Sequence, residues 1–192
     1  MPSPIGHTIA GFCGFCLVHR SVGADAKIKL LGASVIFANL PDVDILPGLL
    51  LGNPSMFHRQ GTHSLLMAVV VGGLVALVVR SWKLSGVRWG IWVTMLYLSH
   101  LFLDLLVADS SFPRGVQLFW PFSDLYTISP ITVFASFDYF KPDLGFLRSV
   151  LSSHNVITIA REVILMTPLT WCIYVFARNR RLAQSMKENA KF

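Results

Sequence analysis

The stretch WGIWVTMLYLSHLFLDLLVA, residues 89–108, decides the fold of this chain. Its 20 residues are enough for a helix to cross about 30 Å of hydrocarbon. His100 and Asp104 interrupt the apolar run, and their spacing of four residues places both side chains on one face of a helix. A carboxylate at that depth is costly unless it is paired, metal-bound or facing a polar cavity, so the pair indicates a functional site.

The composition of the whole chain is typical of a membrane protein. Of its 192 residues, 54% are hydrophobic and only 14% are charged, whereas a soluble domain carries about 25% charged residues. Apolar runs predict membrane-spanning helices at 5–19, 28–40, 64–79, 89–108 and 156–177. We therefore predict an all-α, polytopic membrane helix bundle of about five helices, with residues 1–192 forming a single integral membrane domain. The aromatic-rich segment 109–155 is predicted to be an interfacial connection.

The distribution of positive charge predicts the orientation of the chain in a membrane. Its net charge of +6 does not indicate a nucleic-acid partner, because the cations lie mainly at the ends of the predicted helices. With the N-terminus outside and five crossings, the inner side receives 11 lysines and arginines and the outer side receives 4. The inner set is Arg20, Lys27, Lys29, Arg80, Lys83, Arg88, Arg178, Arg180, Arg181, Lys187 and Lys191, and the outer set is Arg59, Arg114, Lys141 and Arg148. The positive-inside rule then predicts an outer N-terminus and a cytoplasmic C-terminus.

Polar clusters fall at the predicted outer ends of four of these segments. They are His7; Asp42 with Asp44; His58 with His63; and His100 with Asp104. The orientation was derived without any histidine or aspartate, so their convergence on one side is partly independent support for a shared site. Imidazole and carboxylate are ligands of zinc, manganese and iron. We predict one or two divalent cations at this site, with zinc as the first choice and manganese or iron as alternatives. A pair of metals would suit phosphoester hydrolysis.

Each cluster also has a structural interpretation. His7 and His63 can cap helices, His58 can be an interfacial polar residue, and Asp42 and Asp44 can form an ordinary turn after a proline. His100 and Asp104 can bond to each other and fix helix packing. If Asp42 and Asp44 belong to the site, one of them could bind metal while the other orients a histidine.

Four further residues have predicted roles around this site. Arg59 can hold an anionic oxygen, since a guanidinium matches phosphate bidentately. Arg59 is one of two candidates for a catalytic residue, and Asp44 is the other. Thr62 is predicted to cap the third helix. Glu162, if it faces the bundle, is an additional ligand candidate.

The motifs His7, Leu40-Pro-Asp-Val-Asp44, His58-Arg-Gln-Gly-Thr-His-Ser-Leu65 and Ser99-His-Leu-Phe-Leu-Asp104 resemble the YdjM/YbcI-like family of bacterial inner-membrane metal-dependent hydrolases. Trp120-Pro-Phe122 adds a weaker match, and the resemblance covers about the first two thirds of the chain. It implies a bacterial inner-membrane location. It also implies that metal ligands are drawn from His7, Asp42, Asp44, His58, His63, His100 and Asp104.

The order of these motifs is also distantly similar to that of zinc-dependent phospholipase C. That class carries a later His-x-x-x-Glu motif, whereas here His154 is followed by Thr158 at the same spacing. The difference favours one or two metals over a trinuclear site.

These observations together predict a membrane-bound, metal-dependent hydrolase whose site faces the outer side. The expected substrate is a phosphoester or another ester, with a lipid or lipid-linked molecule as the candidate because the site lies at headgroup depth. Two alternatives remain from the sequence. One is a metal-ion or proton transporter, which also places histidine and aspartate within helices. The other is a non-catalytic structural or partner-binding membrane protein. The oligomeric state is left open.

Overall fold

The protein is an all-α helix bundle, as predicted. The computed structural model describes residues 1–19, 22–109, 114–141 and 143–189. Within that part of the chain the helices are α1 Pro4–Val18, α2 Ala24–Asn39, α3 Ile45–Leu50, α4 Leu65–Ser81, α5 Gly86–Leu105, α6 Gly145–Val150 and α7 Ser153–Asn189. The five long helices correspond to the five predicted segments. The two six-residue helices, α3 and α6, were not predicted.

The second predicted segment, 28–40, was too short. Helix α2 already starts at Ala24, and a 3-10 turn over Leu40–Asp44 continues it directly into α3. The result is one helical stretch of 27 residues, Ala24–Leu50. Pro41 is tolerated because it lies in the first turn of the 3-10 segment, where its missing N–H is not needed. Asp42 and Asp44 therefore lie within a helical stretch and not in a non-helical turn.

The fourth and fifth predicted segments also had the wrong ends. The α-helix of segment 89–108 ends at Leu105, and Val107–Ala108 forms the short strand β1. This strand pairs in parallel with β2, Phe134–Ala135, so the connection folds back onto the end of α5. Helix α7 extends segment 156–177 in both directions. Asp104 consequently lies in the last turn of α5.

Helices α4 and α5 approach closely because small residues line their contact. A Cβ atom on Gly72 would lie 1.9 Å from Thr94 Oγ1, and one on Gly90 would lie 2.8 Å from Ala76 Cβ. Such contacts are typical of helix pairs in membranes, where small residues let the backbones come together. Val69, Leu74 and Leu77 of α4 are exposed. A surface of this kind suits a lipid environment.

Two helical stretches are long and apolar enough to cross a membrane by length and composition, Ala24–Leu50 and Ser153–Asn179. Helices α1 and α4 are shorter apolar helices. Although α5 contains the stretch that decided the fold, it is not one of the two. It packs against α1, α2 and α4 and buries His100 and Asp104 among them. Crossing of the bilayer by all five long helices stays a prediction.

The helix ends that carry the polar motifs meet at one end of the bundle. His7 lies in the first turn of α1, the Leu40–Asp44 turn follows α2, His63 precedes α4, and Asp104 lies in the last turn of α5. The helices therefore alternate in direction, and the opposite end of the bundle carries Lys27, Lys29, Arg80 and Arg88. Arg20 and Lys191 of the charge count lie outside the described residues, as do 110–113 and 142 of the predicted interfacial segment. The side chains of Arg180, Arg181 and Lys187 are likewise not described.

Candidate metal centre

A cluster of imidazoles and carboxylates lies where the ends of α1, α2, α4 and α5 meet. This ligand cluster consists of His7, Asp42, His58, His63, His100 and Asp104. Its side chains form three overlapping groups: His7–Asp42–His100, Asp42–His58–His63 and His63–His100–Asp104. Within each group the potential ligand atoms lie within 4.8 Å of one another. Because the groups share residues, one cation or two could be held there; the number of cations stays a prediction.

Four donor atoms form the centre of the ligand cluster. His63 Nε2 and His100 Nε2 lie 3.3 Å apart. Asp42 Oδ1 is 3.4 Å from His63 Nε2 and 3.3 Å from His100 Nε2. Asp104 Oδ2 lies at the same two distances, 3.4 and 3.3 Å. Each carboxylate therefore lies close enough to both imidazole nitrogens to share a cation with them.

Hydrogen bonds at the far side of both central histidines fix which nitrogen faces the carboxylates. His100 Nδ1 lies 2.8 Å from the carbonyl oxygen of Ala38. Because a carbonyl can only accept, Nδ1 carries the proton, and the lone pair of Nε2 in the neutral ring is free for a metal. His63 Nδ1 lies 3.2 Å from Asp44 Oδ2, so the same reasoning applies to it.

Asp44 holds other residues in place and lies in none of the three groups. Its Oδ1 accepts from His58 Nδ1 at 2.7 Å, and its Oδ2 accepts from Thr62 Oγ1 at 2.5 Å and from the Arg59 backbone N–H at 3.3 Å. Both oxygens are thus occupied by the chain itself. Of the paired aspartates, Asp42 is the one available to a cation and Asp44 orients histidines.

Thr62 does not cap α4, contrary to the prediction from sequence. The N-cap is Ser64, whose hydroxyl accepts from the backbone N–H of Met67 at 3.3 Å. Thr62 bonds Asp44 instead, and its carbonyl oxygen accepts from the Tyr97 hydroxyl at 2.6 Å. The loop that carries His63 is therefore tied to both α5 and the Leu40–Asp44 turn.

His7 completes the cluster from α1. Its ring stacks on that of His100 with centroids 3.6 Å apart and planes at 16°, and its Nε2 lies 3.5 Å from Asp104 Oδ1. Both ring nitrogens of His7 and both carboxylate oxygens of Asp42 and of Asp104 are buried without a hydrogen bond in the described part of the molecule. Unpartnered buried polar atoms are costly. A cation would satisfy several of them at once, so these residues fit a metal.

The pKa values of the two loop histidines shift in opposite directions. Burial lowers the pKa of His58, although its hydrogen bond to Asp44 acts in the other direction. Burial would also lower the pKa of His63, but the neighbouring carboxylates of Asp42, Asp44 and Asp104 outweigh burial and raise the pKa above its ordinary value. The cluster thus has an electrostatic environment that favours positive charge near His63.

A cavity of about 490 Å³ lies beside the ligand cluster, and His58, Arg59, Tyr126 and Tyr139 are among its lining residues. Arg59 adopts a left-handed backbone conformation with φ 67°. Its guanidinium pairs with Asp109, which also accepts from the backbone N–H of Gly115 at 3.2 Å. Sequence reasoning named Arg59 but missed Asp109.

Two other side chains beside His58 were not predicted. The sulfur of Met1, a buried residue, contacts His58 Nε2. Tyr139 has its ring centroid 5.8 Å from that of His58, and its hydroxyl is buried. Burial raises the pKa of Tyr139 well above its ordinary value; the charges of Asp42 and Asp104 raise it further, whereas Arg59 lowers it. The phenol therefore stays protonated and keeps an O–H that can donate.

Glu162 is buried, as a bundle-facing residue would be, but it is not part of the ligand cluster. It accepts from the backbone N–H of Ser3 at 2.7 Å and from the Ser3 hydroxyl. Ser3 is the N-cap of α1 and accepts from the Gly6 N–H at 3.3 Å. Glu162, Ser3 and Gly6 form the cap cluster, which attaches α7 to the start of the helix that carries His7. In the sequence, Ser3 directly before Pro4 is the pattern that indicates a helix N-cap.

Comparisons with known proteins identify the family of this chain. The family model described as YdjM inner membrane protein matches residues 1–181. The inner membrane protein YbcI of Escherichia coli (strain K12) is 34% identical over 137 residues, which cover 68% of this chain and 73% of YbcI. No solved structure matches. The family match extends well beyond the first two thirds in which the motifs lie, and it includes Glu162 in α7.

Proposed function

The chain belongs to the YdjM family of inner membrane proteins, and for this member we propose the function of a membrane-bound, metal-dependent hydrolase of phosphoesters. One observation carries the proposal. The buried nitrogens of His7 and the buried carboxylate oxygens of Asp42 and Asp104 lack hydrogen bonds, although they converge on one place. Imidazoles and carboxylates without a thiolate are typical ligands of catalytic zinc, manganese or iron.

The residues divide into those that hold a cation and those that orient them. His63 and His100 would hold it together with Asp104. A second cation would have Asp42 as a ligand, with His7 and His100 or with His58 and His63. Asp44 and the Ala38 carbonyl keep the ring protons of His63 and His100 pointing away from it. These residues would hold a divalent cation, which would supply a nucleophile by lowering the pKa of a water molecule towards neutrality.

Arg59 supports phosphoesters over other esters as the substrate class. Its guanidinium lies on the wall of the cavity beside the cluster and is positioned by Asp109. A guanidinium presents several N–H donors in one plane and matches the oxygens of a phosphoryl group. Fixed donors of this kind stabilise the negative charge that develops during hydrolysis.

The location of the cluster supports a lipid or lipid-linked substrate from the outer side of the bilayer. The ligand cluster lies at one end of the bundle, and Lys27, Lys29, Arg80 and Arg88 lie at the other end. By the positive-inside rule the second end is cytoplasmic, which gives a multi-pass protein with an outer N-terminus. A site at a helix end lies at the depth of the lipid headgroups, where phosphoesters are found.

An ester-hydrolysis screen tests this proposal. Detergent-purified protein, loaded with zinc or manganese, would be assayed with a phosphodiester, a phosphomonoester and a carboxylic ester, each with a chromogenic leaving group. We expect metal-dependent cleavage of a phosphoester that is lost in Asp104→Asn. Asp25→Asn serves as the control, because Asp25 lies in the first turn of α2 at the other end of the bundle. Metal-loaded wild-type protein that cleaves none of the substrates would contradict the hydrolase function.

A further inference from the structure

One hydroxyl on the cavity wall has no hydrogen-bond partner. Tyr139 lines the cavity together with His58 and Arg59. Its hydroxyl oxygen is buried and makes no hydrogen bond to any described residue. A buried O–H without a partner destabilises the folded state, and phenylalanine would fill the same space without that cost. A tyrosine in this position therefore suggests that its hydroxyl donates a hydrogen bond to a bound ligand.

The surroundings of this hydroxyl indicate the chemistry of that ligand. The Tyr139 ring is held by edge contacts with Phe137, with centroids 4.9 Å apart, and lies 5.8 Å from the His58 ring. Its phenol interacts electrostatically with Asp42 and Asp104 of the ligand cluster and with Arg59. Tyr139 thus lies beside His58 of the ligand cluster and lines the same cavity as Arg59. A group bound there would meet an O–H donor and several N–H donors.

We propose that Tyr139 and Arg59 form a binding site for a phosphoryl group, in which the Tyr139 hydroxyl donates a hydrogen bond to a phosphoryl oxygen. This inference rests on the proposed function and adds a substrate-binding residue to it. The carboxylates of Asp42 and Asp104 repel an anion unless a cation offsets their charge. Phosphate therefore binds to the metal-loaded protein and not to the metal-free protein.

Tyr126 provides a matched control. It lines the same cavity, but its hydroxyl is not one of the buried unpartnered atoms found in the described residues. Tyr126→Phe and Tyr139→Phe are the same chemical change on one cavity wall. They separate loss of a specific donor from a general change in the polarity of the cavity.

Calorimetric titration with inorganic phosphate tests the inference. The full chain would be purified in detergent, loaded with zinc and freed of excess metal before titration. We expect Tyr139→Phe to weaken phosphate binding by about tenfold or more, as loss of a hydrogen bond to a charged group does. Tyr126→Phe is expected to stay within about twofold of wild type, and zinc content is expected to be equal in all three proteins.

Thermal unfolding of the metal-free proteins provides a second readout. Tyr139→Phe is expected to unfold at the same temperature as wild type or higher, because it removes an unpartnered buried group. A merely structural role for the hydroxyl would lower the unfolding temperature.

The outcomes separate this inference from the proposed function. Phosphate affinity of Tyr139→Phe equal to that of wild type overturns the role of Tyr139. Zinc-loaded wild type that does not bind phosphate overturns the phosphoryl site while leaving the metal cluster in place. Wild type that takes up no zinc, manganese or iron overturns the proposed function and this inference with it.

Discussion

The ligand cluster and the cap cluster both bury a carboxylate near the start of α1, and they differ in how that carboxylate is satisfied. Glu162 is fully buried, and both of its oxygens accept hydrogen bonds from Ser3. Asp104 is 4% exposed, and neither of its oxygens has a hydrogen bond in the described part of the chain. Burial of an acid within a bundle is therefore not enough to identify a metal ligand. The difference is that the chain itself supplies hydrogen bonds to Glu162 and not to Asp104, the proposed ligand.

Asp104→Asn is expected to have the largest effect in this comparison. The substitution keeps the shape of the side chain but removes its charge, so zinc affinity should fall by more than about 100-fold. Competition of the purified protein with a chromophoric zinc chelator measures this. Glu162→Gln is the matched control and should bind zinc like wild type. Equal loss of zinc in both variants would mean that the two buried acids do not have different roles.

Glu162→Gln is expected to act on stability. An amide in place of the carboxylate brings N–H donors towards the donors of Ser3, so we expect a loss of about 2 kcal/mol in the free energy of unfolding. For a chain of this size that corresponds to a fall of about 4–8 °C in the unfolding temperature. Thermal unfolding in detergent measures it. Unfolding at the wild-type temperature would show that the cap cluster is not needed to attach α7 to α1.

Asp44→Asn is expected to weaken zinc binding without abolishing it. Asp44 bonds His58 and Thr62 and lies beside His63 Nδ1, but it is in none of the three ligand groups. Loss of such an orienting carboxylate lowers metal affinity by about 10–100-fold. The same chelator competition checks the value. A loss as large as that of Asp104→Asn would make Asp44 a ligand itself.

Ser3→Ala is expected to give the smallest change. It removes the N-cap of α1 and one hydrogen bond to Glu162, which costs about 1 kcal/mol. The unfolding temperature should fall by about 2–4 °C, and zinc content should not change. Reduced zinc content would show that the cap of α1 is also needed to position His7 for metal binding.

The sequence predicted that the residues of the ligand cluster lie together, because their positions follow from periodicity and charge. The four-residue spacing of His100 and Asp104 and the placement of lysine and arginine at the other helix ends were both visible without a structure. These two patterns placed His7, Asp42 and His63 at the same end of the bundle. The structure brings all of them together.

What the sequence could not predict were contacts between residues far apart in the chain. Glu162 is 159 positions from Ser3, and Arg59 is 50 positions from Asp109, and no local pattern relates either pair. Tyr139 was one of several aromatic residues in the connection, and only its buried hydroxyl distinguishes it. The different roles of Asp42 and Asp44 also depend on partners in the loop from His58 to His63, which spacing alone does not identify.

The most direct test of the central claim is elemental analysis of the protein purified from membranes without added chelator. Wild type and Glu162→Gln are predicted to carry about one or two equivalents of zinc, manganese or iron, whereas Asp104→Asn is predicted to carry almost none. Wild-type protein that contains no such metal, and takes none up when it is supplied, would contradict the assignment of the cluster as a metal centre.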